Sequence, residues 1–179
     1  MSKAVLLSIR PEWCKKILDR EKTVEVRRTR PVHGTPFKVY IYCTLAGSDS
    51  LFIDVLNRDV AEWNRGGWPE KKGRVIGEFI CDDIRRIGPE YCVVKEDIES
   101  AISGSLLTVP QIKDYAGWKS GMSYADLKDL YGWHISDLKI YDRPRPLSDF
   151  TRLRATKFGY EPVDIERPPQ SWFYVEDNE

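Results

Sequence analysis

Four ionisable side chains near the start of the chain have the types and spacing to do chemistry: Arg10, Lys22, Glu25 and Arg27. Lysine and arginine meet phosphate well. A carboxylate between them can accept hydrogen bonds from a base amino group, hold an arginine in place, or act as acid or base. From Thr23 onward the chain alternates as a strand does, so Thr23, Glu25 and Arg27 share one face while Val24 and Val26 share the other. Lys22 has the valine parity but sits at the bend, from which it can swing to either side. Charge pattern alone favours a solvated face with an internal Glu25–Arg27 pair, worth little when exposed.

The element that must position these residues is a short helix. Pro11 suits a first helical position, where its missing N–H costs nothing. Trp13, Cys14, Ile17 and Leu18 form an apolar stripe at three-and-four spacing, with Glu12, Lys15, Lys16 and Asp19 on the other side. A helix this short is marginal alone, so its stripe must pack on something. Before it, Ala4 to Leu7 predicts a buried strand. After it, the turn-rich stretch from Thr29 to Pro36 leads to an alternating strand over Phe37 to Thr44, with Phe37, Val39, Ile41 and Cys43 as its core face.

Further along, Ser50 could cap a helix from about Leu51 to Asn64 within an insert at about 45–73, and Trp63 and Trp68 flank Gly66-Gly67 there. A strand is expected from Gly73 to Ile84, where Gly77 hints at a bend or a close backbone approach. Short helical segments are expected near Asp97–Ile102, at Pro110–Tyr115 behind a Thr108 cap, and from a capping box at Ser123 to Asp126 up to Gly132. Then come a strand over His134–Tyr141, an extended Arg143-Pro144-Arg145-Pro146, a loop from Ser148 to Glu166, and a last strand from Gln170 to Glu176. About six short strands with helices between them predict one α+β domain over 1–179, built on a small mixed barrel.

At 179 residues, 41% hydrophobic and 31% charged, the chain is globular, and no apolar run approaches a membrane span. Net charge is zero, which argues against a generic nucleic-acid-coating protein. Yet residues 1–40 hold ten Lys and Arg against four Asp and Glu, and the remainder eighteen against twenty-four. That basic third suits an anionic ligand and equally suits pairing with the acidic remainder. Cys14, Cys43, Cys81 and Cys92 have no paired spacing, and the only histidines are His33 and His134, so reduced thiols, a cytoplasmic location and no metal are expected. No P-loop, G-x-S-x-G, H-E-x-x-H or C-x-x-C motif occurs, and no cofactor is expected.

The segments Leu7-Ser8-Ile9-Arg10-Pro11, Ile17-Leu18 and Lys22-Thr23-Val24-Glu25-Val26-Arg27 together resemble the ASCH (activating signal cointegrator homology) domain of the PUA-like superfamily. The family's signature there is Gly-x-Lys-x-x-Glu-x-Arg, and Arg20 stands in the place of its glycine. Tyr42-Cys43-Thr44 and Val75-Ile76-Gly77-Glu78-Phe79 are similar to the family's next two strands. Gly132-Trp133-His134 and Pro168-Pro169-Gln170-Ser171-Trp172 resemble a bacterial and phage-type subgroup. The resemblance implies a PUA-like barrel of about six strands and a cleft between the first helix and the barrel that takes single-stranded RNA or a nucleotide. Lys22, Arg27 and Arg10 would meet phosphate. Glu25 would contact a base or hold Arg27. Tyr42, Trp133 or Trp172 would stack a base, with Ser8, Thr44, Gln170 and Ser171 lining the rest.

Some relatives are acetylcytidine amidohydrolases with a threonine three residues after the lysine. Here that residue is Glu25, and a carboxylate cannot take a hydroxyl nucleophile's role. The stretch before Met122 offers Lys119 and Ser120 rather than their catalytic glutamate. An RNA- or nucleotide-binding domain is therefore the first expectation. The alternatives are a hydrolase of RNA or a modified nucleoside, with Lys22 and Glu25 as its catalytic pair, and a protein-interaction domain that uses the tryptophan-bearing insert.

Overall fold

A computed structural model describes residues 2–45, 73–88 and 95–177. Among the described residues ten strands and three α-helices run in the order β1 (Lys3–Ile9), α1 (Pro11–Leu18), β2 (Val24–Arg27), β3 (Phe37–Cys43), β4 (Arg74–Cys81), β5 (Ile84–Ile87), α2 (Lys95–Ala101), α3 (Val109–Ala116), β6 (Leu130–His134), β7 (Ser136–Arg145), β8 (Thr151–Thr156), β9 (Gly159–Asp164) and β10 (Trp172–Glu176). They form a seven-stranded sheet, ordered β7-β4-β3-β1-β10-β8-β9, and a three-stranded sheet, ordered β2-β6-β5. The mixed α+β class is as expected. The described residues form no closed six-stranded barrel, because more of the chain is strand than its pattern announces. The insert at 45–73 lies, apart from Leu45 and Gly73, outside the described residues.

The chain divides into two compact units, each discontinuous in sequence. The first comprises Met1–Asp19, Phe37–Phe79 and Asp137–Glu179. β1 runs parallel to β3 and antiparallel to β10. On one face of this sheet Ala4, Leu6, Tyr40, Tyr42, Val75, Phe150 and Val175 form the core, with Tyr141, Leu147, Ile165 and Phe173 packed on it. Val5, Leu7, Val39 and Ile41, on the opposite face, are equally buried. β3 therefore has core on both sides, and its tyrosines are as internal as its valine and isoleucine. In α1 Pro11, Cys14 and Ile17 are buried, the last two being the middle of the expected stripe.

One further expectation is corrected in this unit. Ser148 to Glu166 is no loop: its greater part is the antiparallel hairpin β8–β9, with Thr156 opposite Gly159. Pro162 does not prevent this, since β9 is the outermost strand and needs no donor on its open side. Arg143-Pro144-Arg145 is extended as predicted and belongs to β7.

The second unit comprises Arg20–Pro36 and Ile80–Ser136. Its core joins Val26, Ile87 and Leu130 from the sheet to Ile98, Ile102, Ile112 and Trp118 from the helical part. Thr108 and Gln111 form a reciprocal capping box at the start of α3. The expected strand over 73–84 is broken at Asp82-Asp83 into β4 and β5. The helix expected from Ser123 is only a 3₁₀ turn, Tyr124–Asp126. The chain there is drawn into β6, where Leu130 pairs with Ile87 and Gly132 lies between Val26 and Arg85.

Candidate functional site

Lys22, Glu25 and Arg27 come together in the second unit, and they are not a solvated face. All four residues of β2 are buried. Glu25 and Arg27, two apart, lie on one side of the strand as alternation requires, and Arg27 Nη2 is 2.9 Å from Glu25 Oε1. Lys22 swings from the bend onto the same carboxylate, its Nζ 3.3 Å from Oε2. The lysine also donates to the Ser105 carbonyl at 2.7 Å. Side-chain exposures of 2%, 8% and 11% for Lys22, Glu25 and Arg27 place two cations and one carboxylate largely out of water, with Arg27 the most accessible.

The approach to the strand is held by the same loop. Both Thr23 and Val24 donate backbone N–H bonds to the Gly104 carbonyl, at 2.9 and 3.0 Å. Gly104 has φ +82°, and a Cβ there would lie 2.2 Å from Thr23 Oγ1, so only glycine fits. Gly104 and Ser105 are the residues that sequence reasoning missed. Their signal was a Gly-Ser pair some eighty residues from Lys22, and nothing local to either segment connects them. Arg20 has φ +58°, so the bend keeps the left-handed conformation that the family's glycine favours. A non-glycine residue there costs on the order of 1 kcal/mol.

The electrostatics of the cluster follow from burial. Loss of hydration pushes the Lys22 pKa below its usual 10.5, and this outweighs the opposing attraction of Glu25; Arg27 adds to the lowering. A buried ion cluster of this kind is a poor way to gain stability, because desolvation consumes most of the Coulomb attraction. An amine pushed toward neutrality beside a carboxylate can accept a proton, and two cations on one carboxylate suit an anion.

Trp133 is also in this unit, opposite Glu25 in the β2–β6 pairing and with no exposed ring face. His134 pairs with Asp82, Nδ1 to Oδ1 2.6 Å, and that bond holds the Asp82 carboxyl below its usual range. The signal missed here was the Asp82-Asp83 pair, which the expected strand over 73–84 runs straight through.

The remaining expected residues lie in the first unit. The Ser8 hydroxyl donates to the Pro169 carbonyl at 2.6 Å, and its N–H donates to the Ser171 carbonyl at 2.9 Å. The opening and closing segments that carry the family resemblance therefore meet through Ser8. Trp172 follows in β10, opposite Leu7, and is half-buried; Gln170 is exposed. Thr44 donates its N–H to the Ile9 carbonyl at 2.8 Å, and its buried hydroxyl has no hydrogen-bond partner among the described residues. Tyr42 is buried over Gly73, and burial raises its pKa above 10.0. Arg10 is exposed at the N-cap of α1, its side chain making no capping bond.

Among the described residues no group of three or more His, Cys, Asp or Glu could hold a metal ion, and no helix is long and apolar enough to cross a membrane. The tryptophan-bearing insert of the protein-interaction alternative lies outside the described residues.

No protein-family model matches the sequence, and no curated protein matches it. Among solved structures, the chain is similar to the crystal structure of ASCH from Zymomonas mobilis, with TM-score 0.50 and 19% identity over 97% of this chain and 87% of that one. It is likewise similar to a serine-to-alanine variant of the same protein, with TM-score 0.54 and 19% identity over 97% and 88% of the two chains.

Proposed function

We propose that this chain, which has the fold of an ASCH domain, binds RNA or a nucleotide through Lys22, Glu25 and Arg27. The single observation that carries the reading is the burial of two cations on one carboxylate within a β-strand and its bend. That arrangement contributes little to folding, and it suits an anionic ligand that replaces water around the cations. Arg27 offers the planar fork that meets a phosphate with two parallel bonds. Lys22, already donating to Ser105 and Glu25, supplies positive charge and fixes the carboxylate. Trp133 in the second unit, and in the first unit Ser8, Arg10, Tyr42, Thr44, Gln170, Ser171 and Trp172, remain expected ligand-lining residues, each unit's set tested by its own substitutions.

The test is binding of a short single-stranded RNA and of a mononucleotide at two salt concentrations, by the wild type and by Lys22→Met and Arg27→Gln variants. Affinity that falls with salt, and falls again in the variants, supports the reading. Binding that is indifferent to both variants, with their fold verified by circular dichroism, removes the cluster from recognition.

A second reading, a hydrolase of RNA or of a modified nucleoside, is favoured by one observation: burial lowers the Lys22 pKa, which brings an amine closer to use as a base. Glu25 would then be its acid/base partner. Turnover of RNA or of an acylated nucleoside that disappears in Glu25→Gln supports it. Turnover unaffected by that change excludes Glu25 from the chemistry.

A further inference from the structure

A second surface, aromatic and carrying Lys3 and Lys157, lies wholly within the first unit, on strands that do not carry Lys22, Glu25 or Arg27. Trp172 and Tyr174 alternate along β10, opposite in direction to Phe173 and Val175, which turn toward the core. Tyr160, at the start of β9, completes a row. Trp172 and Tyr174 have ring centroids 5.4 Å apart at 75°, and Tyr174 and Tyr160 are 5.6 Å apart at 85°. All three rings are half-buried, and Lys3 Nζ sits 3.7 Å from the Tyr160 centroid. Just beyond, the tip of the β8–β9 hairpin presents Phe158, 89% exposed, with Lys157 Nζ 4.8 Å from its ring.

An exposed phenylalanine at a hairpin tip gains nothing from the fold. The hairpin backbone closes without it, through Thr156, whose hydroxyl accepts from the Phe158 N–H at 3.2 Å. On this side of the sheet the cations are Lys3 and Lys157; Arg152, opposite Val175 and over the Phe173 ring, and Arg154, which pairs with Glu161, alternate to the other side.

We propose that this surface — Phe158 and Lys157 at the tip, then Tyr160, Tyr174 and Trp172, with Lys3 — is a stacking platform for single-stranded nucleic acid. Rings at this spacing, interleaved with cations, take successive bases on their faces while the cations follow the phosphates, without needing a particular sequence. The assignment rests on the RNA arm of the reading above, since several rings in a row suit an oligomer rather than a mononucleotide.

The experiment is fluorescence anisotropy with a labelled single strand of about twelve nucleotides and an abasic strand of the same length and charge, beside a mononucleotide. The proteins are the wild type, Phe158→Ala, a Tyr160→Leu/Tyr174→Leu double variant, the matching Tyr→Phe double variant, and Lys22→Met. Removing stacked rings should weaken the base-bearing strand at least about fivefold, since each stacked base contributes about 1–3 kcal/mol. The abasic strand should bind weakly to all proteins, the Tyr→Phe pair should retain affinity, and mononucleotide binding should be unmoved by the tyrosine and Phe158 changes. Oligomer binding that is lost in Phe158→Ala or the Leu pair but kept in Lys22→Met supports the platform even if the Lys22 cluster binds nothing. An abasic strand that binds as well as the base-bearing one, Leu and Ala variants that bind unchanged, or a wild type that binds no oligomer, overturns the platform, whatever the mononucleotide does.

Discussion

At the scale of single residues, the chemistry of the second unit turns on how much burial Lys22 tolerates. Its folded pKa is below the 10.5 of the unfolded chain. Between those two values the unfolded chain holds the extra proton, so stability rises with pH across that window; below the folded value the penalty for the buried charge is complete. Lys22→Met removes the titration. The stability difference between wild type and Lys22→Met, from urea denaturation, should shift in favour of the wild type from about pH 7 to about pH 10. A difference that stays constant across that range contradicts a depressed Lys22. Cys81 behaves in the opposite sense. Burial first, then the charges of Asp82 and Asp83, push its thiol up to about 12, and the protonated thiol donates to the Asp83 carbonyl. It should remain unlabelled by iodoacetamide in the native protein at mildly alkaline pH, as read by peptide mass spectrometry. Rapid native labelling at Cys81 would show that the strand end opens. Which side Lys22 takes could not be read from the sequence, because parity fixes direction only inside a strand and Lys22 precedes one. Its acceptor, Ser105, lies in another segment altogether.

At the scale of elements, the legible ones were those whose pattern is local. Pro11 with the stripe of Cys14 and Ile17 announced α1, and Thr108 with Gln111 announced α3. Gly77 was legible too, as a close backbone approach. A Cβ there would lie 2.5 Å from the Lys139 carbonyl oxygen and 3.2 Å from the Ile140 Cα, on the facing strand β7. Gly77→Ala must therefore push β4 and β7 apart, at an expected cost of about 1–3 kcal/mol in chemical denaturation. A neutral Gly77→Ala would mean that the two strands pack less closely than described. The β8–β9 hairpin was illegible for physical reasons. Its two-residue tip, Lys157-Phe158, uses neither asparagine nor glycine, and Pro162 is tolerated only because β9 has an open edge. Alternation with one core face leaves the tyrosines of β3 outside, yet the cluster with Phe150, packed edge-on against Tyr40, buries them. Alternation states which residues share a face and leaves open how many faces are buried.

At the scale of the whole molecule, ASCH-like segments that are distant in sequence anchor both units: Ser8 is tied to Pro169 and Ser171 in the first, and Lys22, Glu25 and Arg27 are gathered in the second. The likeness in fold to an ASCH structure agrees with the resemblance read from those segments, while the strand count was not legible, because pairing across the chain decides it. The role proposed for the buried cluster is recognition of the phosphates of RNA or a nucleotide. Its most direct test is the salt dependence of single-stranded RNA binding by wild type and by a folded Lys22→Met/Arg27→Gln variant. Each lost phosphate contact should flatten the plot of log affinity against log salt by about 0.7, so the double variant, which loses the Arg27 contact, should bind more weakly with a slope shallower by about 0.7. An affinity and slope equal to those of the wild type would contradict the claim.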